Sequence, residues 1–271
     1  MKKKVIYVAG LVRSGTTFLE LMLCQKYLLV GLGEVAQTID GIKATADDLT
    51  KRPWLDISKR KCSCGQSISE CDYWSDVNNK HSALDKKGLH QYLLDRSIEL
   101  YGNRTIIDSS KDITAIRDYY ENNSDVDLKI IYIVRDFRSW VESIRKYLRL
   151  NNMPDYGAVY QSYRWMKANK NNINYLSRFG DKVLLIQYEK LVFDSANQWR
   201  RMEEFIEEDV NVKTEVVHDV YGSRFKNTDT PLETVKYDSK WMVNNKYSLI
   251  YPFTFPVFAF NASLYSDTKN G

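Results

Sequence analysis

Lys3-Lys4-Val5-Ile6-Tyr7-Val8-Ala9-Gly10-Leu11-Val12-Arg13-Ser14-Gly15-Thr16-Thr17 is a short apolar run, a glycine-bounded loop and the start of an apolar helical pattern. Lys3–Ala9 reads as a buried strand and Thr16–Tyr27 as a helix. Glycines at 10 and 15 let the backbone wrap closely. Amide groups at the following helix N-terminus are suited to an anion. Working outward, the same alternation recurs. Arg104–Asp108 is predicted as a strand and Ile113–Glu121 as a helix. Leu128–Val134 (Leu-Lys-Ile-Ile-Tyr-Ile-Val) is the strongest strand signal, with a helix from about Arg138 to Leu150. Lys182–Gln187 and Ser195–Glu207 repeat the pair. Alternation of this kind predicts an α/β fold with a central parallel sheet flanked by helices in three layers, in the manner of P-loop NTPases. Ligands of such sheets bind beyond the carboxyl ends of the strands, so residues after Ala9, Asp108, Val134 and Gln187 are the candidates for chemistry.

The 271 residues are read as one domain, 1–271, with an insertion at about 40–80 carrying three of the four cysteines. A segment at about 218–271 is aromatic and rich in Pro and Asn. It is expected to be loop-rich and to pack across the active end of the sheet. Hydrophobic residues are 44% and charged residues 27% of the chain, which excludes a disordered protein. The net charge of +4 argues against a nucleic-acid coat but allows a local basic pocket. No apolar stretch approaches the 18 or so residues of a membrane span. The basic start Met1-Lys2-Lys3-Lys4 is like a signal peptide, but Arg13 interrupts the apolar run and no small-x-small cleavage site follows. A cytoplasmic location is the expectation.

Gly10 to Thr17 fits the Walker A frame with one departure: Thr16 stands where the lysine belongs. That lysine normally reaches the terminal phosphates of a nucleoside triphosphate, so its loss argues against ATP or GTP hydrolysis. Arg13 supplies positive charge from a different place in the loop. A second anion site is suggested by Arg135, at the end of the strongest strand, and Ser143, a little over two helical turns later. The two can converge on one oxyanion, the arginine as a planar fork of donors and the serine as a neutral donor.

Together these residues resemble the sulfotransferases that use 3′-phosphoadenosine 5′-phosphosulfate (PAPS), in particular bacterial members related to the tyrosylprotein and carbohydrate enzymes. The resemblance extends over most of the chain: Gly33-Glu34, the Cys62-Ser63-Cys64-Gly65…Cys71-Asp72-Tyr73-Trp74 insertion, Asp108-Ser109-Ser110-Lys111, Gln187-Tyr188-Glu189-Lys190-Leu191, and His218…Gly222-Ser223-Arg224-Phe225-Lys226. It implies that Arg13, Ser14, Gly15, Thr16 and Thr17 hold the 5′-phosphosulfate and that Arg135 and Ser143 hold the 3′-phosphate. It also implies that a late loop with Arg224 and Lys226 closes over the nucleotide. Tyr188 packs near the adenosine on this reading, or is a core aromatic. The product would be 3′-phosphoadenosine 5′-phosphate (PAP). Sulfuryl transfer by in-line attack needs positioning and positive charge, and no metal if cations supply it. Arg13 and Lys111 are the candidates for that charge. Glu34 is the candidate general base toward a hydroxyl acceptor, with His218 as the alternative. Asp108 would orient Lys111 or cap the following helix.

A carbohydrate or other hydroxyl compound is the expected acceptor, with an amine less favoured. Sugar, tyrosine, lipid head group and small metabolite all stay open. A P-loop kinase and an inactive nucleotide-binding module are the rival readings. Cys62, Cys64 and Cys71 leave three alternatives: zinc with Cys24 or His81 as fourth ligand, a disulfide, or free thiols. Their spacing is not a common finger pattern, so free thiols and no metal are expected.

Overall fold

The computed structural model describes residues 2–80, 82–208, 216–221 and 246–266. Among the described residues six strands form one sheet: β1 (Lys3–Gly10), β2 (Leu29–Gly31), β3 (Thr105–Lys111), β4 (Val126–Val134), β5 (Val183–Gln187) and β6 (Val216–Val217), in the order β5-β4-β1-β3-β2-β6. The helices are α1 (Thr16–Lys26), α2 (Val35–Ile42), α3 (Ala46–Lys51), α4 (Trp74–Asn79), α5 (Lys86–Tyr101), α6 (Ile113–Ala115), α7 (Phe137–Leu150), α8 (Gly157–Leu176), α9 (Tyr188–Phe193), α10 (Ser195–Ile206) and α11 (Lys246–Tyr265). This is the α/β fold that the alternating sequence predicts. β1 pairs with β3, β3 with β2, and β2 with β6, all in parallel. The apolar runs are buried because helices cover the sheet: Val5 to Gly10 and Ile130 to Val134 are buried at every position.

The chain divides into two compact units. One comprises Met1–Ala9, Thr16–Ile131 and Ile206–Thr230. The other comprises Gly10–Gly15, Tyr132–Phe205 and Pro231–Gly271. In the first, the Ile113–Glu121 helix of the sequence reading is a single α turn that widens into a π-helix at Ile116–Tyr120. That widening accompanies a reach inward by Tyr120, whose hydroxyl donates to the buried Asp108 carboxylate at 2.7 Å.

In the second unit, Asp136 starts α7 by accepting from the Arg138 backbone N–H. The expectation of a loop-rich C-terminal segment fails over α11. Pro252 and Pro256 lie inside this helix, and proline there removes a backbone donor. Two other carbonyls of the helix take side-chain donors: the Thr254 hydroxyl donates to the Ile250 carbonyl, and the Tyr163 hydroxyl to that of Phe253, both at 3.0 Å. Apolar packing fixes the helix, with Phe258 against Phe137 and Phe260 against Trp165 at centroid separations of 4.7 and 5.7 Å. None of the described helices is long and apolar enough to cross a membrane.

Candidate active site

The predicted site residues form two groups, one in each unit. In the unit that contains the loop Gly10–Gly15, Arg13 is held at φ 74°. A non-glycine residue in that left-handed region carries about 1–3 kcal/mol of strain and marks a functional turn. The loop is pinned from α7 by the Trp140 indole, which donates to the Val12 carbonyl at 2.8 Å. Arg13 Nε donates to Ser143 Oγ at 3.1 Å, and the Arg135 guanidinium donates to the Arg13 carbonyl at 3.2 Å. Arg135 and Ser143, paired from sequence spacing, therefore come together through Arg13.

Two residues that sequence spacing did not single out hold Arg135 in place: Ser139 Oγ accepts from its Nε, and the Trp165 indole donates to its carbonyl at 3.1 Å. The guanidinium lies 5.1 Å from the Tyr188 ring centroid. Tyr188 also underlies the loop. A Cβ on Gly15, whose φ is +103°, would sit 2.7 Å from the Tyr188 ring, so only glycine fits there. Neither Arg13 nor Arg135 has a carboxylate ion-pair partner among the described residues. Partial burial, and then the Arg135 charge, hold the Arg13 guanidinium below the usual arginine range. Two mutually repelling cations beside a helix-flanked loop make a site for a polyanion. Ser14 is buried, and its backbone N–H closes a turn onto the Leu11 carbonyl at 3.0 Å. That amide is spent inside the loop.

In the other unit, Thr16 and Thr17 are buried in the first turn of α1. Glu34 follows β2 and starts α2, yet its side chain makes no capping bond. The cap comes from β3: Ser110 Oγ accepts from the Ala36 backbone N–H at 2.9 Å, while the Val35 N–H closes onto the Gly33 carbonyl at 3.0 Å. Asp108 holds Ser110 in place, accepting from its backbone N–H at 2.9 Å and from its hydroxyl, and the helix that follows is capped by Asp112 instead. Burial pushes the Asp108 carboxyl up to about 6. Relieved of capping, the Glu34 carboxylate pairs with Lys111 Nζ, the two side chains only 12% and 15% exposed.

The strand register explains how Lys111 reaches it. Tyr7 pairs with Asp108 but Ala9 with Lys111, so β3 carries an extra residue there, and Lys111 adopts φ 70°. Such a bulge re-aims a side chain at a sheet end. The turn before Glu34 is fixed by Glu20, a fully buried carboxylate on α1. It accepts from the Gly33 backbone N–H at 2.7 Å and from the Ser109 hydroxyl at 2.6 Å. Glu20 was hidden in sequence by the apolar pattern of its helix.

Residues 6–211 match the model of a sulfotransferase family. The chain belongs to the sulfotransferase family. Among solved structures, it is similar to the sulfotransferase domain of the Synechococcus PCC 7002 olefin synthase. The identity is 17% and the TM-score 0.59, over 98% of this chain and 96% of that one. It is also similar to the sulfotransferase domain of the curacin biosynthetic pathway, at 17% identity and TM-score 0.55, over 97% and 98% of the two chains. At this identity the likeness concerns the fold. No curated protein matches the sequence.

In this sulfotransferase His218, the alternative base, is engaged at both ring nitrogens. Nδ1 lies 3.6 and 3.5 Å from the sulfurs of Cys62 and Cys71, and Nε2 lies 2.5 Å from the Tyr101 hydroxyl. Arg224 and Lys226 lie outside the described residues, as does His81. Cys24 is not part of the cysteine cluster; its sulfur packs against Gly31, where a Cβ would lie 2.8 Å from it.

Proposed function

We propose that this sulfotransferase moves a sulfuryl group from PAPS to a hydroxyl acceptor. The observation that carries the reading is the pair of arginines, Arg13 and Arg135, gathered at one loop with a serine and no carboxylate partner among the described residues. Uncompensated guanidiniums are kept where an anion neutralises them. The 3′-phosphate is what distinguishes PAPS from ATP, and the absence of a Walker lysine is consistent with that preference. PAPS supplies an activated sulfuryl group on a phosphosulfate anhydride.

Arg135 and Ser143 hold the 3′-phosphate by charge-assisted and neutral hydrogen bonds. Tyr188 supports Arg135 and the loop. Thr16 and Thr17, with Arg13, Ser14 and Gly15, bind the 5′ end, and Arg224 and Lys226 are assigned to the nucleotide as well. Lys111 neutralises charge on the departing phosphate oxygen, and Glu34 takes the acceptor proton. The mostly buried Glu34–Lys111 pair supports the last two roles. An ion pair taken out of water adds little net stability, whereas a carboxylate beside an ammonium is suited to move a proton and stabilise a leaving oxyanion. A carbohydrate or another hydroxyl compound is the proposed acceptor class.

The test is calorimetric titration with PAP, 5′-AMP and ATP. PAP and 5′-AMP differ only by the 3′-phosphate, so PAP is expected to bind about 100-fold more tightly, corresponding to about 2.7 kcal/mol. Tighter binding of ATP than of PAP would overturn the reading in favour of a P-loop kinase.

A further inference from the structure

The cysteines of the insertion form a second site that sulfuryl transfer does not use. Cys62, Cys64, Cys71 and His218 place their ligand atoms within 4.8 Å of one another. We propose that these four residues bind one structural zinc ion.

The spacing fits a tetrahedral centre. Zinc–sulfur bonds of about 2.3 Å and zinc–nitrogen bonds of about 2.0–2.1 Å put tetrahedral ligands about 3.8 Å apart for two sulfurs and about 3.6 Å apart for sulfur and nitrogen. The sulfurs of Cys64 and Cys71 are 3.7 Å apart, and His218 Nδ1 is 3.6 Å from Cys62 and 3.5 Å from Cys71. A disulfide brings its sulfurs to about 2.05 Å, and it leaves one of three thiols and the imidazole without a purpose.

The surroundings are those of a metal site. The Tyr101 hydroxyl meets His218 Nε2 at 2.5 Å, fixing the ring and directing Nδ1 at the sulfurs. Tyr73 stacks on the imidazole at a centroid separation of 5.1 Å. Ser63, between two of the cysteines, is laced to the chain around His218. Its N–H donates to the Asp219 carbonyl at 2.8 Å and its hydroxyl to that of Val217 at 2.6 Å. The Trp74 indole donates to the His218 carbonyl at 2.6 Å.

Three soft thiolates and one imidazole select zinc, and a set of four protein ligands closes the coordination shell, which is the structural rather than the catalytic pattern. The ion ties the 62–71 segment to the segment after β6, residues more than 140 apart in the chain. It also braces the turn that carries Glu34. The His218 backbone N–H donates to the Gly31 carbonyl at 2.7 Å, and a Cβ on Gly33 would meet the Asp219 side chain at 2.0 Å.

The test is metal analysis of the full chain, expressed with zinc in the medium and purified without a histidine tag. One zinc per chain is expected. Cys64→Ser, at an exposed position, and His218→Ala are each expected to bring it below a tenth, while Cys24→Ser keeps it at one. Far-UV circular dichroism establishes that each variant is folded. Cobalt reconstitution of chelator-treated protein is expected to give the intense visible bands of a tetrahedral thiolate site, lost in Cys64→Ser. Folded wild-type protein with less than a tenth of a zinc after anaerobic reconstitution overturns the proposal. So does full occupancy in the Cys64→Ser, His218→Ala double variant. These readouts do not depend on PAP binding or turnover.

Discussion

Replacing Arg135 by alanine separates a structural arginine from an anion-binding one, because the two roles predict opposite patterns. Arg135 donates to Ser139 and to the Arg13 carbonyl, and its guanidinium lies against Tyr188. The ring contact is worth about 0.5–1 kcal/mol, and each of the two hydrogen bonds about 0.5–1.5 kcal/mol. Against these stands the repulsion with Arg13, which the substitution removes. The losses and the relief offset each other, so Arg135→Ala is expected to change unfolding free energy by no more than about 1 kcal/mol. Binding of PAP is another matter. Loss of two charge-assisted hydrogen bonds, each about 1.5–3 kcal/mol, weakens it about 100-fold or more. At a PAP concentration of about 100 times the wild-type dissociation constant, the ligand stabilises wild type by about 2.7 kcal/mol and the variant by about 0.4 kcal/mol. For a chain of this size the thermal midpoint then rises by about 5–11 °C in wild type and about 1–2 °C in the variant. Differential scanning fluorimetry with PAP and with 5′-AMP reads both numbers. The 5′-AMP shift should be unchanged by the substitution. A variant that keeps its full PAP shift, or that loses the PAP and 5′-AMP shifts alike, refutes the assignment of Arg135 to the 3′-phosphate.

Glu34→Gln is expected to lower sulfuryl-transfer turnover by about 10²- to 10⁴-fold, as loss of a general base does, with PAP affinity within a few-fold of wild type by calorimetry. Lys111→Met should lower turnover by a similar factor, and unchanged turnover in either variant removes that residue from the reaction. Gly33→Ala is expected to destabilise the fold by about 3 kcal/mol or more in urea unfolding, since its Cβ collides with Asp219 and its φ is +68°; a loss below about 1 kcal/mol contradicts the packing described. The Asp108 carboxyl is raised from 3.8 to about 6 by burial, so the folded state holds its proton more tightly than the unfolded one. Its contribution to stability is greatest below about pH 4 and falls by about 3 kcal/mol as pH rises to about 6. Asp108→Asn should flatten that part of the stability–pH curve, and an unaltered slope in urea titrations between pH 4 and 6 contradicts the shift.

What was legible in the sequence depended on range. β1, β4 and the helices after them are local patterns, and each appears within about two residues of its reading. β2 is three residues long, and β6 two; neither carries enough periodicity to stand out. α11 was concealed by two prolines, whose local signal is overridden by aromatic packing. The loop and its arginine were readable because glycine spacing and the Arg135…Ser143 separation are local. Ser139 was as close in sequence to Arg135 as a helical turn, but a serine there has no distinguishing mark until the guanidinium is seen to bond it. The fourth member of the cysteine cluster was not readable at all. His218 is 147 residues from Cys71, and the pairing of β6 with β2 brings it there.

The two non-glycine residues strained at the strand ends argue for function more strongly than any single hydrogen bond. Arg13 and Lys111 both sit near φ 70°, each at about 1–3 kcal/mol that a glycine at the same place avoids. Selection for stability alone favours glycine there. Retaining a long cation instead is consistent with a demand for its charge at that point. For Lys111 the strain comes with a bulge that redirects the side chain toward Glu34, and Ser110, on the same strand, takes over the capping of α2 that Glu34 would otherwise perform. Bulge, strain and displaced cap thus converge on one carboxylate–ammonium pair. Comparing Lys111→Gly with Lys111→Met tests this directly: both leave Glu34 without its ammonium, but only glycine relieves the strain, so the glycine variant should be about 1–3 kcal/mol more stable than the methionine variant while turnover falls alike in both. A Lys111→Gly protein no more stable than Lys111→Met contradicts the strain, and one as active as wild type shows that the lysine has no part in turnover.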